Sequence, residues 1–312
     1  MYKYLFGPVP SRRLGISLGV DLVTHKICSL NCIYCECGKT TNLTLNRKQY
    51  VPFNKVIKEL DHYFQNNPDP DYITFSGSGE PCLNVEIGEV INYIKKTRKH
   101  ILIAVLTNGT LLSQKQVRNE LLNADTVIFS LDAASDLAFQ KINRPCQQIN
   151  LKHYIQGLFD FTKEYKNKAV LEYFVLPDIN DSKKEVMFLK HAFEKIKPDI
   201  IQLNTLDRPG SVSGIKPVNL SKLKQIVNLL EPLNVEIIAG FSEQKKNKLY
   251  RQDMESAIIE TIHRRPCTSH DLEKILGKNI NEINKCLKSL QKANKIKSML
   301  QKRGLFFQTN KD

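Results

Sequence analysis

The sequence of 312 residues lacks any apolar run long enough to cross a membrane. A spanning helix needs roughly 18 consecutive apolar residues, and no stretch approaches that length. Residues 1–6 lead directly into Gly7 and Pro8 without the apolar core of a secretory signal peptide. Internal repeats and low-complexity tracts are also absent. We therefore expect a cytoplasmic protein that does not associate with membranes.

Acidic side chains are in deficit, with 32 Asp and Glu against 46 Lys and Arg, which gives a formal net charge of +14. The excess is uneven, because residues 251–312 carry 13 basic and 7 acidic side chains. Such a surplus is compatible with nucleic acid or another polyanion as partner. A solvated, lysine-rich surface explains it equally well.

The chain contains eight cysteines, an even number that is open to a disulfide interpretation. In a cytoplasmic protein of this size, clustered cysteines more often bind metal or take part in chemistry. Four of the eight fall between Cys28 and Cys37. This crowding favours a metal site.

Short apolar segments alternate with amphipathic segments over the first 240 residues. The predicted strands are 17–24, 72–75, 101–106, 126–131, 169–176, 199–204 and 235–239. The predicted helices between them are 56–63, 85–96, 112–122, 154–165, 183–196 and 221–230. This alternation predicts an α/β fold with right-handed βαβ units and a parallel sheet. Six or seven units are too few for a closed eightfold barrel, so we expect an open, partial (β/α)6-type barrel.

Cysteine, glycine and polar clusters follow the predicted strands at their carboxyl ends. Ligands of parallel barrels and sheets bind at those ends. The placement of these clusters therefore favours an enzyme.

A second, smaller unit is predicted after the partial barrel, which we place at residues 1–240. Residues 241–252 are polar and basic without apolar periodicity, which is typical of a linker. Within 253–312 we expect helices at 254–264, at 271–276 capped by Thr268 and at 283–293 capped by Asn281, then strands at 295–300 and 305–309. Three helices followed by a hairpin are typical of a winged-helix-like domain.

The four crowded cysteines include the spacing Cys28-x3-Cys32-x2-Cys35. Thiolates suit iron–sulfur clusters. Three of them on one loop can hold three corners of a four-iron cube and leave the fourth iron open to a ligand. Cys37 leaves a second possibility, a closed zinc site of four thiolates, although zinc sites usually draw ligand pairs from two separate knuckles.

This C-x3-C-x2-C loop after the first strand, with the aromatic Tyr34 before its last cysteine, resembles the defining motif of the radical S-adenosylmethionine (SAM) superfamily. The resemblance implies that Cys28, Cys32 and Cys35 bind a [4Fe–4S] cluster whose open iron chelates the methionine part of SAM. It also implies that one electron cleaves SAM to a 5′-deoxyadenosyl radical, which abstracts hydrogen from a substrate. The implied electron donor is a flavodoxin or ferredoxin.

The later strand ends also resemble SAM-binding positions of that superfamily. The loop after the second strand, with Gly77, Ser78, Gly79 and Glu80, is similar to its glycine-glycine-glutamate-proline motif, although Ser78 replaces a glycine. That motif contacts the methionine amino group. Further expected contacts, to the carboxylate, ribose or adenine of SAM, are Asn108, Ser130, Asp132 and Asn204. Turn capping is the alternative role for each of these four residues.

The segment 7–15 (GPVPSRRLG) resembles a branch of the superfamily related to wyosine synthase, which builds a tricyclic base of transfer RNA. The flavodoxin-like domain and the extra cluster cysteines of true wyosine synthases have no counterpart here. Arg12 and Arg13 are candidates for binding phosphate, the SAM carboxylate or RNA, or for a surface ion pair. Cys82 and Cys146 are candidates for radical chemistry, although a core role is favoured for both.

Three functions remain open at this point. The first is a radical SAM enzyme that modifies RNA, plausibly transfer RNA. The second is a radical SAM enzyme that acts on a peptide, a protein or a small metabolite. The third is a DNA-binding regulator with a sensing cluster, against which the SAM-like loops argue because a sensor needs no such ligand pocket.

Overall fold

A computed structural model describes residues 2–11, 13–238, 254–301 and 303–310. The predicted linker 241–252 and Arg12 lie outside the described residues. The boundary between the two predicted units therefore stays a prediction.

An eight-stranded sheet forms the centre of the molecule, in the order β1-β2-β5-β6-β7-β8-β9-β10. The strands of the larger unit are β1 Leu5–Ser11, β2 Gly15–Val20, β3 Ile27–Cys28, β4 Asn42–Leu43, β5 Tyr72–Phe75, β6 Leu102–Thr107, β7 Thr126–Ser130, β8 Lys168–Phe174, β9 Ile200–Asn204 and β10 Val235–Ile237. From β2 to β10 all pairings within the large sheet are parallel. The predicted α/β fold with a parallel sheet is thus confirmed.

Strand β1 was not predicted, and it pairs antiparallel with β2. Pro8 and Pro10 interrupt the strand pattern in the sequence, because proline cannot donate a ladder hydrogen bond. They are accommodated because β1 is an edge strand with a shift in register between Phe6 and Val9. The sheet therefore begins one strand earlier than the sequence indicates.

Seven helices connect the parallel strands. They are α1 Phe53–Asn66, α2 Ile87–Thr97, α3 Lys115–Leu121, α4 Asp136–Ile142, α5 Leu151–Glu164, α6 Lys183–Ile196 and α7 Leu220–Leu230. The predicted helix 112–122 is instead a 3-10 turn at Thr110–Ser113 followed by α3. Helix α4 was missed because it spans only two turns, although Ser135 caps it through a side-chain bond to the Ala138 N–H.

The helices pack on one face of the sheet. Their buried side chains share a single core with alternate strand residues such as Ile73, Val105 and Leu203. The opposite face carries the polar residues Thr74, Ser130, Glu172, Gln202 and Asn204 beside apolar ones such as Ile128 and Val170. Helices on one face are the arrangement of a barrel, whereas a doubly wound sheet has helices on both faces. With β1 and β10 as its two edges, the sheet agrees with an open barrel.

The C-terminal unit has its own core and a small antiparallel sheet. Its elements are α8 Met254–Arg264, β11 Cys267–Thr268, α9 Ser269–Leu276, α10 Ile280–Lys292, β12 Ile296–Gln301 and β13 Gly304–Thr309. The sheet order is β11-β13-β12, and the core includes Ile258, Leu272, Leu287 and Phe307. No described helix is both long and apolar enough to cross a membrane.

One of the two predicted caps in this unit is wrong. Thr268 caps α9, as predicted, and it also forms a capping box with Asp271. Asn281, however, is not the cap of α10, because the helix begins one residue before it at Ile280. The cap is Asn279, whose side chain accepts a hydrogen bond from the Asn281 N–H.

Candidate active site

The cysteine loop lies beyond the carboxyl end of β2 and is fixed from two sides. Toward α4, the N–H of Asn31 donates to the carbonyl of Asn143 at 2.9 Å, and that of Ile33 donates to the carbonyl of Ile142 at 2.9 Å. Toward β9, the hydroxyl of Ser211 donates to the Cys32 carbonyl at 2.8 Å. Contacts within the protein therefore fix the path of the loop.

Each of the three predicted ligand sulfurs accepts a hydrogen bond from a different nitrogen donor. Asn108 Nδ2 lies 3.4 Å from Cys28 Sγ, and Asn143 Nδ2 lies 3.4 Å from Cys32 Sγ. The ammonium of Lys26 lies 3.1 Å from the sulfur of Cys35. Hydrogen bonds to cluster sulfurs tune reduction potentials and orient ligands. The three donors come from β6, α4 and the loop after β2, so the tertiary fold assembles this shell.

The electrostatics of the thiols differ along the loop. Burial raises the pKa of Cys28 to about 11, and Glu80 acts in the same direction. Burial, followed by repulsion from Asp132, also raises the pKa of Cys32. A hydrogen bond from Cys37 lowers the pKa of Cys35 to about 5, with Lys26 contributing. Cys28 and Cys32 therefore need a bound cation to become thiolates at neutral pH, because thiolates are stabilised by positive charge.

The donor set fits a four-iron cluster better than a single ion. Within the described ranges, no three His, Cys, Asp or Glu side chains converge closely enough to hold one metal ion. Zinc bound by four thiolates would require such convergence. A four-iron cube instead takes one thiolate at each of three irons, so its ligands stand further apart. Cys28, Cys32 and Cys35, each with a nitrogen donor at its sulfur, supply the three thiolates that such a cube takes.

Asp132 anchors the cysteine loop to the end of β7. Its side chain is buried, and its Oδ2 accepts hydrogen bonds from Tyr34 at 2.6 Å and from Asn143 at 2.7 Å. Its Oδ1 accepts from the Phe174 N–H at 3.0 Å. Burial raises the pKa of Asp132 to about 6. Both oxygens already accept hydrogen bonds from protein groups, and the predicted contact of Asp132 to SAM stays a prediction.

Asn143 belongs to this site although the sequence did not single it out. Both contacts of its amide nitrogen are to acceptors, Cys32 Sγ and Asp132 Oδ2, which fixes the orientation of the amide. Its Oδ1 is buried and has no hydrogen-bond partner among the described residues. A buried acceptor of this kind normally finds a donor. It is therefore available to a ligand bound beside the cysteine loop.

The glycine-rich loop after β5 packs against the start of the cysteine loop. Ser78 donates to Asp21 Oδ2 twice, from its N–H at 3.1 Å and from its hydroxyl at 2.9 Å. A Cβ at Gly79 would overlap the Ile27 carbonyl oxygen, and a Cβ at Gly77 would overlap the Asp21 carboxylate. Gly77 also has φ +154°, which disfavours a side chain there. The close approach of the backbone explains both glycines.

Glu80 joins the glycine-rich loop to the end of β6. Its buried carboxylate accepts from the Cys82 N–H at 3.0 Å, the Thr107 hydroxyl at 2.7 Å and the Asn108 N–H at 2.7 Å. Burial raises the pKa of Glu80. Asn108 in turn donates to Cys28 Sγ and to Ser29 Oγ. Glu80 thus orients Asn108, and Asn108 lies at the cysteine site where the sequence predicts it.

The remaining predicted residues lie further along the face of the sheet that is opposite to the helices. Ser130 ends β7, and its carbonyl accepts a hydrogen bond from Tyr154. Asn204 ends β9 and donates to Glu172 Oε1 at 2.8 Å, while Arg13 pairs with the other Glu172 oxygen at 2.9 Å. Arg13 therefore takes part in a partly buried ion pair on the inner face, and Asn204 contacts this pair and not the cysteines.

The other candidate cysteines have structural surroundings. Cys82 is fully buried in the core on the helix side of the sheet, where its thiol lies 3.5 Å from Thr107 Oγ1. Cys146 is buried, and its thiol donates to Gln148 Oε1 at 2.6 Å. The core role favoured for both residues agrees with these positions.

Comparisons with known proteins identify relatives of the chain. The family model "Radical SAM superfamily" matches residues 22–189. A UPF0026 protein of Helicobacter pylori is 31% identical over 277 residues, which are 88% of each chain. A protein named GTPase Obg in Brachyspira hyodysenteriae is 36% identical over 95% of this chain, but the chain spans only 43% of that relative's length.

More distant relatives share the fold or part of it. A probable dual-specificity RNA methyltransferase RlmN of Petrotoga mobilis is 24% identical over 60% of this chain and 53% of its own length. The crystal structure of a radical SAM methyltransferase from Sphaerobacter thermophilus superposes with a TM-score of 0.57 at 15% identity, covering 72% of this chain and 67% of that one. This likeness concerns the fold alone. The chain belongs to the radical SAM superfamily and is a homologue of the UPF0026 proteins.

Proposed function

We propose that the protein is a radical SAM enzyme that binds a [4Fe–4S] cluster through Cys28, Cys32 and Cys35 and modifies RNA, with transfer RNA as the leading substrate. The observation that carries the cluster assignment is the nitrogen donor found at each of these sulfurs, from Asn108, Asn143 and Lys26. Such donors favour bound, anionic sulfur. A thiol buried for packing alone has no need of a charged or amide donor.

The SAM site is proposed between the cysteine loop and the glycine-rich loop. When bound, the cluster and SAM supply the one-electron cleavage of a sulfur–carbon bond that starts radical chemistry. For polar groups of SAM the chain itself offers the half-buried backbone at Gly77 and Gly79 and the unpartnered Asn143 Oδ1. The buried carboxylates of Asp132 and Glu80 hold these elements in place, because together they accept six hydrogen bonds from protein groups. A flavodoxin or ferredoxin is the proposed reductant.

RNA is the preferred substrate class because of the C-terminal unit and the relatives. The proposal that residues 254–310 form a winged helix is supported by their order of helices and strands. A winged helix often places one helix against nucleic acid. Helix α10 exposes three lysines, Lys285, Lys288 and Lys292. The distant RNA methyltransferase relative and the resemblance of residues 7–15 to the wyosine-related branch point in the same direction.

A peptide or protein substrate is the second candidate. The observation that favours it is the hairpin of β12 and β13, whose tip exposes Leu300 by 77% and Leu305 by 44%. Exposed apolar side chains grouped on one hairpin are typical of protein contacts. The third candidate is a DNA-binding regulator, for which we expect cluster binding without SAM cleavage.

The substrate class is tested by measuring SAM turnover in the presence of each candidate substrate. Anaerobically reconstituted protein with dithionite and SAM is incubated with bulk transfer RNA, with a peptide library or with neither. RNA modification predicts faster SAM cleavage with transfer RNA and a new nucleoside mass after digestion, both lost in Cys32→Ala. Stimulation by peptides alone would support the second candidate and refute the first.

A further inference from the structure

Arg264, at the last position of α8, contacts the barrel in two ways. Its Nη1 lies 3.0 Å from Asp21 Oδ2, and its guanidinium carbon lies 3.9 Å from the ring centroid of Phe6. Phe6 in turn covers Gly19 of β2, where any Cβ would overlap the ring. Stacking together with an ion pair defines both the position and the orientation of a guanidinium. Arg264 is thus held at a fixed place against the first two strands.

Asp21 links Arg264 to the glycine-rich loop. The oxygen that pairs with Arg264 is the same Oδ2 that accepts both hydrogen bonds from Ser78. Asp21 is buried, so its charge needs a counter-ion, and Arg264 is the cation that the structure places on it. Loss of Arg264 would leave a buried carboxylate with neutral donors only, which favours solvation of Asp21 and release of Ser78.

A second set of contacts joins the C-terminal unit to the other end of the sheet. Arg303 lies 3.4 Å from Asp207, and Asp271 lies 3.8 Å from Arg208, both of which follow β9. Arg208 also pairs with Glu36 of the cysteine loop at 3.4 Å. The unit therefore contacts loops that follow both β2 and β9, and the second of these loops also touches the cysteine loop.

We infer that the docked C-terminal unit completes the cofactor side of the active site, with Arg264 as a positioning residue that acts through Asp21 on Ser78. The inference rests on the proposed function in that the glycine-rich loop is taken to hold SAM. It adds that SAM affinity depends on a residue of the smaller unit. The unit that recruits the substrate then also shapes the site where the cofactor binds.

The first test needs neither cluster nor SAM. Hydrogen exchange of the Ser78 amide is compared between the wild-type protein, Arg264→Ala and the control Lys295→Ala, which removes an exposed ion pair within the same unit. The account predicts roughly tenfold faster exchange in Arg264→Ala only, because the amide is protected by its bond to Asp21. Wild-type exchange of Ser78 in that variant would overturn the inference. If Arg264→Ala does not fold, Arg264→Lys is used instead. The Ser78 amide must then exchange faster in Arg264→Lys than in the wild-type protein and in Lys295→Ala.

The second test measures SAM binding by equilibrium dialysis on the reconstituted protein. Arg264→Ala should weaken binding about fivefold or more, a usual size for coupling between sites. The double variant Arg264→Ala/Ser78→Ala should bind SAM no more weakly than whichever single variant binds SAM less tightly. Both changes act on the same chain of contacts, so their effects should not add. Fully additive effects would refute the proposed route. If the wild-type protein itself binds no SAM, the proposed function fails, and the exchange experiment alone decides the role of Arg264.

Discussion

The phenol of Tyr34 donates a 2.6 Å hydrogen bond to the buried carboxylate of Asp132, and its ring stacks on Phe174 with centroids 3.9 Å apart. Tyr34→Phe keeps the stacking and removes the bond. We expect it to lower the free energy of unfolding by about 1–3 kcal/mol, the usual cost of losing a bond to a buried charged group. Urea titration followed by circular dichroism measures this. Tyr50→Phe, which removes an exposed hydrogen bond, should change stability by less than about 0.5 kcal/mol.

Lys26 places a buried positive charge beside Cys35. Lys26→Met should make the proposed cluster harder to reduce, because a nearby cation favours the added electron. We expect at least a tenfold change in the reduction equilibrium, which is about 59 mV for one electron. Potentiometric titration with electron paramagnetic resonance detection measures it. Lys39→Met, on the same loop but exposed, is the matched control, and equal shifts in both variants would contradict the account.

Gly79→Ala tests the close packing of the two loops. The new Cβ would overlap the Ile27 carbonyl oxygen, a backbone atom that cannot rotate away. We expect about 3 kcal/mol of destabilisation or more, with reduced iron incorporation. At Gly214 a Cβ meets nothing within 4 Å, so Gly214→Ala should cost only about 1–2 kcal/mol from its positive φ. Comparable losses in both variants would argue against loop packing as the cause.

The stability of the C-terminal unit should depend on pH through Asp271. Burial alone would raise the pKa of Asp271, but Arg208, the Thr268 N–H and Arg303 outweigh burial and lower it. A lowered carboxylate pKa stabilises the fold above its unfolded value of about 4, and the effect is lost as the pH falls below that value.

Asp271→Asn removes this contribution. At pH 7 we expect the free energy of unfolding of the variant to be about 1 kcal/mol lower than that of the wild-type protein, and the gap to narrow as the pH falls below about 4. Thermal melts followed by circular dichroism over this range provide the measurement. A gap that is independent of pH would show that the charge of Asp271 is not responsible.

Local patterns predicted the scaffold well and singled out the three ligand candidates, whose role stays a prediction. Strands and helices of the barrel have strong apolar periodicity, and the spacing of Cys28, Cys32 and Cys35 is local to one loop. Strand β1 escaped prediction because its prolines hide the pattern, and α4 because seven residues carry little periodicity. The position of the α10 cap was wrong because two asparagines, Asn279 and Asn281, compete for it within three residues.

The supporting shell of the site could not be read from the sequence. Asn143 lies 111 residues from Cys32, and only the fold brings the two together. Arg264 lies 243 residues from Asp21. Asn204 was predicted from its place at a strand end, but its hydrogen bond to Glu172 could not be inferred from that place. Strand ends define a neighbourhood, whereas the contacts within it depend on tertiary packing.

The most direct test of the central claim is cleavage of SAM. The protein is reconstituted anaerobically with iron and sulfide, reduced with dithionite and given SAM, and 5′-deoxyadenosine is measured by chromatography. The account predicts its formation by the wild-type protein and its loss, together with the cluster absorbance, in Cys32→Ala. A protein that binds zinc and no iron, or a Cys32→Ala variant with full activity, would contradict it.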